Sequence, residues 1–455
     1  MNDITAFFAF LKYCLGYKEN MRRVIAGMNW HELYSFASKQ ALLGLCFEGI
    51  ERLGEEYPEE LKRNPIGRKL LMTWMGKAQQ IRRQNMKVNA VASKLFSMLR
   101  EDGMRCCVLK GQGNVLMYPN PYSRTPGDID VWIDASRERI MEYASKKFEL
   151  GDDIRLQHLE ASLDGVPVEL HFFPCSMNNP IYHARLQKWF RRNADLQCSH
   201  IVGLPDGAGD IAIPTTAFNV IYQLTHLYHH FFDEGIGMRQ IIDYFLVVND
   251  FSKNVFLNND LSNHPVNFSN HPVPLSKEGS TFSPSPSSSG SGDVTAPSRC
   301  SEPLRSKDGG PSKVSPDCAG WDRLAIEGDN SATAVTSSAS TALVVVQREL
   351  KCLGLWKFAG AVMYVLHEAL GLSEKKMIAP MDEKRGKLLL AEILNGGNFG
   401  QHFTKYGHFT QQGMAKKYFL KIWRNMHFVR YYPAEALSEP IFRTWHFFWR
   451  LKHRR

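Results

Sequence analysis

The sequence predicts an α+β protein: a small mixed β-sheet core between N- and C-terminal helical regions, with a disordered insertion in the second. Three observations carry this prediction. Apolar residues recur at helical spacing through residues 1–103 and again from Thr215. From Arg105 the pattern gives way to short apolar runs and period-two alternation. A long stretch rich in Ser, Pro, Gly and Asn then interrupts the second helical region.

In chain order, Trp30, Leu33, Phe36 and Ala37 form one helical face, and Val88, Val91, Leu95 and Leu99 another. "EDGM" closes the last of these helices, with Gly103 as its C-cap. "RCCVLKG" reads as a buried strand ending in a Lys-Gly turn, and "GDIDVWID" as an alternating strand. Asp134 is expected to cap the helix "ASRERIMEYASKKF". "IRLQHLEASL" and "VPVELHFF" flank Asp164-Gly165, a favoured two-residue hairpin turn. These readings place an N-terminal helical region at 1–103, an α/β core at 104–205, and a C-terminal helical domain at 206–250 plus 346–455. The low-complexity insertion is assigned to 251–345. Residues 262–340 hold 19 serines in 79 positions, with too few large apolar groups to offset the entropy of ordering.

With 455 residues, 44% hydrophobic and 22% charged, the chain reads as a soluble globular protein of two or three domains. Its net charge of +9 is compatible with a polyanionic partner such as a nucleotide or nucleic acid. Nine cysteines, an odd number and without a CxxC pair, fit reduced thiols rather than a disulfide framework or a zinc site. No apolar run reaches the ~18 residues of a spanning helix, and the N-terminus lacks a basic leader, so the expected location is cytoplasmic.

The chemistry centres on "RTPGDIDVWID". On a strand, Asp128 and Asp130 share one face while Ile129, Val131 and Ile133 fill the other. Two carboxylates this close need a counter-charge, or one must take up a proton. Magnesium supplies that charge through oxygen ligands, and two such ions can clamp the attacking and leaving oxygens of a phosphoryl or nucleotidyl transfer. Glu169, alternating with apolar residues on the hairpin arm, is the candidate third carboxylate. Lys110-Gly111 and Gly113 form a turn whose N–H groups and ammonium suit phosphates, and Arg124 to Gly127 bring a cation and a tight backbone approach.

Together, "VLKGQGNVLMYPNPYSRTPGDIDVWID" and the later "GVPVELHFF" resemble the polymerase-β-like nucleotidyltransferase superfamily, and within it a bacterial family of largely uncharacterised nucleotidyltransferases. The helical lead-in and "GIGMRQIIDYFLVV" share the resemblance. It implies that Asp128 and Asp130 bind two Mg²⁺ ions and that Glu169 holds metal or activates the acceptor hydroxyl. It also implies that Lys110, Gly111, Gly113, Arg124 and Gly127 handle the phosphates of an NTP. Gln112 stands where the superfamily usually has a second small residue. The implied reaction transfers a nucleoside monophosphate to an unidentified acceptor: small molecule, sugar, RNA or protein. The alternatives are a toxin-like enzyme acting on tRNA or protein, and a non-catalytic nucleotide-binding relative.

Other candidates have blander readings. His171 sits either at the site rim or as a hydrogen-bonded structural residue, and His158 is similar. His226, His229 and His230 read as packing or surface histidines, a metal-binding face being the other reading, and Arg239 and Asp243 as a helix ion pair, the resemblance leaving a substrate-facing role as the alternative. The basic, aromatic C-terminus is expected to pack Phe447, Phe448 and Leu451 on the protein with its cations in water; contact with RNA or a membrane surface is the other reading.

Overall fold

The computed structural model describes residues 3–260, 335–402 and 414–452. The N-terminal helices are α1 (Asp3–Cys14), α2 (Arg22–Ala26), α3 (Trp30–Lys39), α4 (Leu43–Glu56), α5 (Pro58–Arg63) and α6 (Arg68–Glu101). The core follows with β1 (Cys106–Leu109), α7 (Gly111–Val115), β2 (Ile129–Ile133), α8 (Arg137–Lys147), β3 (Glu149–Ile154), β4 (His158–Leu163) and β5 (Val166–His171). Then come α9 (Pro180–Ser199), the short pair β6 (Ile201–Gly203) and β7 (Asp210–Ala212), α10 (Thr216–Asp233) and α11 (Met238–Asp260). The chain ends in α12 (Val335–Cys352), α13 (Trp356–Leu370), α14 (Glu383–Gly396), α15 (Met414–Met426) and α16 (Pro433–Lys452). The α+β class is as predicted.

Gly103 terminates α6 as the sequence requires. It takes a left-handed φ of 69°, its N–H donates to the Arg100 carbonyl, and the Met104 N–H reaches back to Leu99. The chain then enters a five-stranded sheet of order β1-β2-β5-β4-β3. Only β2 and β5 run parallel; the other neighbours are antiparallel. The β4–β5 hairpin turns at Asp164 and Gly165, both at positive φ (51° and 69°), the geometry that suits the strands' twist. One sheet face is apolar: Val108, Ile129, Val131, Val168 and Leu170 pack on Val88, Val91, Leu95 and Leu99 of α6 and on Ile140 and Ala144 of α8. On the opposite face Trp132 stacks on Phe218 of α10 with ring centroids 6.1 Å apart.

Several expectations are corrected. Ser136, not Asp134, caps α8, its hydroxyl accepting the Arg139 N–H; Asp134 pairs with Arg105 instead. Two extra residues precede the helix because Asp134 still hydrogen-bonds Arg105 through its backbone, prolonging the strand pairing. Strand β3 was not foreseen, because "ELGDDI" is polar and has no period-two pattern; it forms because β4 offers an edge to pair with. The Lys110-Gly111 turn opens directly into the single-turn helix α7. Helices α11 and α12 reach to Asp260 and from Val335, so both margins of the predicted 251–345 insertion are helical, and its interior lies outside the described residues. No described helix is long and apolar enough to cross a membrane.

Candidate active site

The parallel register sets Asp130 of β2 directly beside Glu169 of β5, on the same face of adjacent strands. His171, two residues beyond Glu169, therefore joins them, and His158 lies opposite it on β4. The His171 Nε2 lies 3.0 Å from Asp130 Oδ1 and 3.1 Å from Glu169 Oε2. The Lys110 ammonium, presented by the end of β1, lies 3.0 Å from Asp130 Oδ1 and 3.0 Å from His226 Nε2. Lys110 adopts φ 50° and ψ −137°, a region that non-glycine residues rarely occupy. Such backbone strain concentrates where side-chain placement matters to function.

Asp128 stands one residue before β2, exposed at the mouth of the site, whereas Asp130 is buried. The two carboxylates are shifted in opposite directions. The charge of Asp130, then partial loss of solvation within the site, pushes Asp128 up to about 6. Burial opposes ionisation of Asp130 too, but Lys110 and His171 hold it well below the usual carboxylate range. Burial works against charge on His171 as well, yet its hydrogen bonds to Asp130 and Glu169 raise it to about 9. His158, buried and facing His171, is pushed down to about 2 and stays neutral. Its Nδ1 is 3.2 Å from Glu169, but neither ring nitrogen makes a hydrogen bond.

Distant elements pin the segment that delivers Asp128. Asn85 of α6, fully buried, donates to the carbonyls of Tyr122 (3.1 Å) and Arg124 (2.8 Å). Thr125 donates its hydroxyl to the Ala41 carbonyl, and Arg239 of α11 donates to the Thr125 carbonyl at 2.9 Å. Arg124 is buried in a two-pronged ion pair with Asp243, Nε at 2.8 Å and Nη2 at 2.7 Å, and Tyr118 donates to the same carboxylate at 2.8 Å. Asp243 is thus bound across the molecule, and the expected ion pair along α11 is replaced by one to Arg124.

Asp128 and Glu169 open into a cavity of about 550 Å³, walled also by Lys110 and both hairpin histidines, while Asp130 lines the adjoining recess. The cavity's far wall comes from the helices: His226, His229, His230 and Asp233 of α10, Lys421 of α15, and Glu439, Phe442 and Arg443 of α16. Phe399 borders this cavity and a smaller recess of about 50 Å³ that is lined by Gly111, Arg124, Gly127, Arg239 and Asp243. The structure therefore brings Lys110, Asp128, Asp130 and Glu169 together, with Gly111, Gly127 and Arg124 at the adjoining recess. Gly113 lines neither space: its N–H is spent on the Lys110 carbonyl, and a Cβ there would meet Ile213 at 3.1 Å.

The residues that sequence reasoning undervalued are the histidines of α10 and Phe399. A signal was present for the first. His226, His229, His230 and Asp233 stand at i, i+3, i+4 and i+7, a polar stripe on a helix otherwise largely buried. The C-terminal expectation is reversed for Phe447 and Phe448, and the Leu451 side chain lies outside those described. Phe447 and Phe448 are 50% and 63% exposed, while Arg443 turns inward to Asp233 at 2.8 Å. Packing against α10 selected the charged face of α16, because Asp233 is there to be neutralised.

Clustered carboxylates on neighbouring strands of a small mixed sheet, with a fixed ammonium and a polar cavity, define an enzyme of phosphoryl-group chemistry. Asp130 and Glu169, side by side, and Asp128 just before β2 supply oxygen donors of the kind a hard divalent ion takes. His158, Glu169 and His171 also place ligand atoms within 4.8 Å of one another, so the same corner can hold a metal through nitrogen. The chain belongs to a family of uncharacterised nucleotidyltransferases, whose family model matches residues 26–262. The match spans α3 to α11 and the whole sheet, and ends before the helices α12 to α16. No curated protein and no solved structure matches the chain.

Proposed function

We propose that the chain transfers a nucleoside monophosphate from an NTP to an acceptor hydroxyl, with Mg²⁺ held by Asp128, Asp130 and Glu169. The observation that supports this most directly is the side-by-side register of Asp130 and Glu169, with Asp128 and the Lys110 ammonium at the mouth of one cavity. In the reaction the acceptor oxygen attacks the α-phosphorus, the bond to the β-phosphate oxygen breaks, and pyrophosphate leaves. The hydroxyl proton passes to Glu169. Bound Mg²⁺ would neutralise the phosphates and polarise the reacting oxygens. Lys110 keeps its charge: burial opposes it, but Asp130, Asp128 and Glu169 raise its affinity for the proton. It therefore supplies a preorganised cation where phosphate charge develops.

In this reading residues 104–205 are the catalytic core, and the helical regions at 1–103, 206–250 and 346–455 brace it and wall the acceptor side. Gly111, Gly127 and Arg124 border the phosphate recess. Arg124 acts first by fixing the loop before Asp128, since its guanidinium is engaged by Asp243.

Thermal unfolding with ATP, GTP, CTP and UTP, each with and without Mg²⁺, should reveal a metal-dependent stabilisation by at least one nucleotide. Labelled NTP incubated with a cell lysate should mark an acceptor fraction. Both signals should vanish in Asp128→Asn combined with Asp130→Asn. Unchanged nucleotide stabilisation and labelling in that variant would remove the proposal.

A further inference from the structure

Helix α16 is turned inside out. Glu435 is buried and accepts the backbone N–H groups of Asn178 and Asn179 at 2.6 and 3.3 Å. Glu439 is buried, and Arg443 reaches inward to Asp233. The outward side carries Leu437, Ile441, Trp445 and Phe448, which are 52%, 73%, 49% and 63% exposed. Their spacing of four, four and three residues is that of a single helical stripe. On α15, Phe419, Trp423 and Met426 repeat the pattern at 66%, 54% and 52% exposure.

The two stripes lie on neighbouring helices that pack against each other, each stripe opposite the residue that meets Asp233. Lys421 of α15 and Arg443 of α16 both bind Oδ1 of Asp233, at 2.9 and 2.8 Å. Phe419 and Trp423 flank Lys421 two residues to either side, as Ile441 and Trp445 flank Arg443. Two residues are about 200° around an α-helix, so both stripes point away from Asp233 and the body of the protein.

Seven large side chains about half exposed or more, several of them aromatics of ~150–250 Å² each, leave on the order of 900 Å² of apolar surface uncovered. The largest patch on a typical monomer is about 300–600 Å². We propose that this face is the contact between two copies of the chain in solution. The area suits that occupant, because stable complexes bury about 800 Å² per partner. So does the charge. From Pro433 to Trp449 every exposed side chain of α16 is uncharged, so this helix can meet its own copy across a twofold axis without like-charge repulsion, whereas His427 and Arg430 are exposed in the turn between α15 and α16. The inner side of α16 lines the cavity, so the pairing would also hold that wall in place.

Light scattering coupled to size exclusion, and sedimentation velocity, on the full chain should find a species of twice 51.9 kDa at tens of micromolar. Ile441→Glu with Trp445→Glu should give a monomer with an unchanged far-ultraviolet circular dichroism spectrum. Leu437→Ser with Ile441→Ser, which places no charge in the patch, should weaken self-association at least tenfold. A wild-type chain that stays monomeric at tens of micromolar overturns the proposal, whether or not it floats with phosphatidylglycerol vesicles. A dimer that survives both double variants overturns it equally.

Discussion

The Arg124–Asp243 pair offers the sharpest test of how the site is built. Both side chains are almost fully buried, and three short hydrogen bonds converge on the Asp243 carboxylate, two from Arg124 and one from Tyr118. Asp243→Ala strands a buried guanidinium and a buried phenol. Removing one partner of such a pair costs about 3–5 kcal/mol. Arg124→Met leaves the carboxylate with only Tyr118 and Arg239 nearby and should fall in the same range. In the double variant Asp243→Leu with Arg124→Met, no uncompensated charge remains, so the loss should be well below the sum of the singles. Urea unfolding of all variants yields the coupling energy directly, and we expect at least ~2 kcal/mol, within the range for residues sharing one network. Mg²⁺-dependent nucleotide stabilisation should weaken in each single variant, because the loop that carries Asp128 is anchored by this pair. Additivity within ~0.5 kcal/mol would refute the reasoning, since it would mean that the two groups do not depend on each other.

Gly44→Ala should perturb the site from a distance. A Cβ there would lie 2.3 Å from the Ser123 carbonyl oxygen, so α4 or the loop before Asp128 must shift. A destabilisation of about 1–3 kcal/mol together with a weaker nucleotide response would confirm the coupling, and unchanged melting would exclude it. His171→Gln should alter the pH dependence of the chelator-treated protein. His171 is raised from 6.5 to about 9, so its stabilising contribution is complete below pH 6.5 and is lost as pH rises through 9. Melting temperatures taken across that interval should fall in the wild type and stay flatter in the variant; parallel curves would contradict the assignment.

Much of the core was legible in the residues. Period-two alternation put Asp128 and Asp130 on one strand, which the structure begins at Ile129, one residue after Asp128, and Asp164-Gly165 announced the hairpin that carries Glu169. The cap at Gly103 followed from local backbone chemistry alone. The α10 histidines read as packing or surface residues, although their i, i+3, i+4, i+7 spacing with Asp233 marked one face. Spacing shows that residues share a face; it does not show what that face meets. The same limit explains α16. Its sequence has one face with Glu435, Glu439 and Arg443 and another with Leu437, Ile441, Trp445 and Phe448, and hydrophobic patterning alone assigns the second to the interior. Asp233, Asn178 and Asn179 lie more than 200 residues away along the chain, and their demand for charged partners reversed the choice.

The sequence by itself determined the class of fold, the strands and turn that carry the three carboxylates, and the family to which the chain belongs. These are matters of local periodicity and short-range turn chemistry. The tertiary structure alone decided which carboxylates become neighbours, because the parallel register of β2 with β5 is a long-range pairing. It also decided that Arg124 is bound by Asp243, that four residues of α10 line the cavity beside Glu169, and that α15 and α16 each present an apolar stripe outward. Each of those depends on desolvating charges against partners from distant segments, and no local pattern encodes the partner.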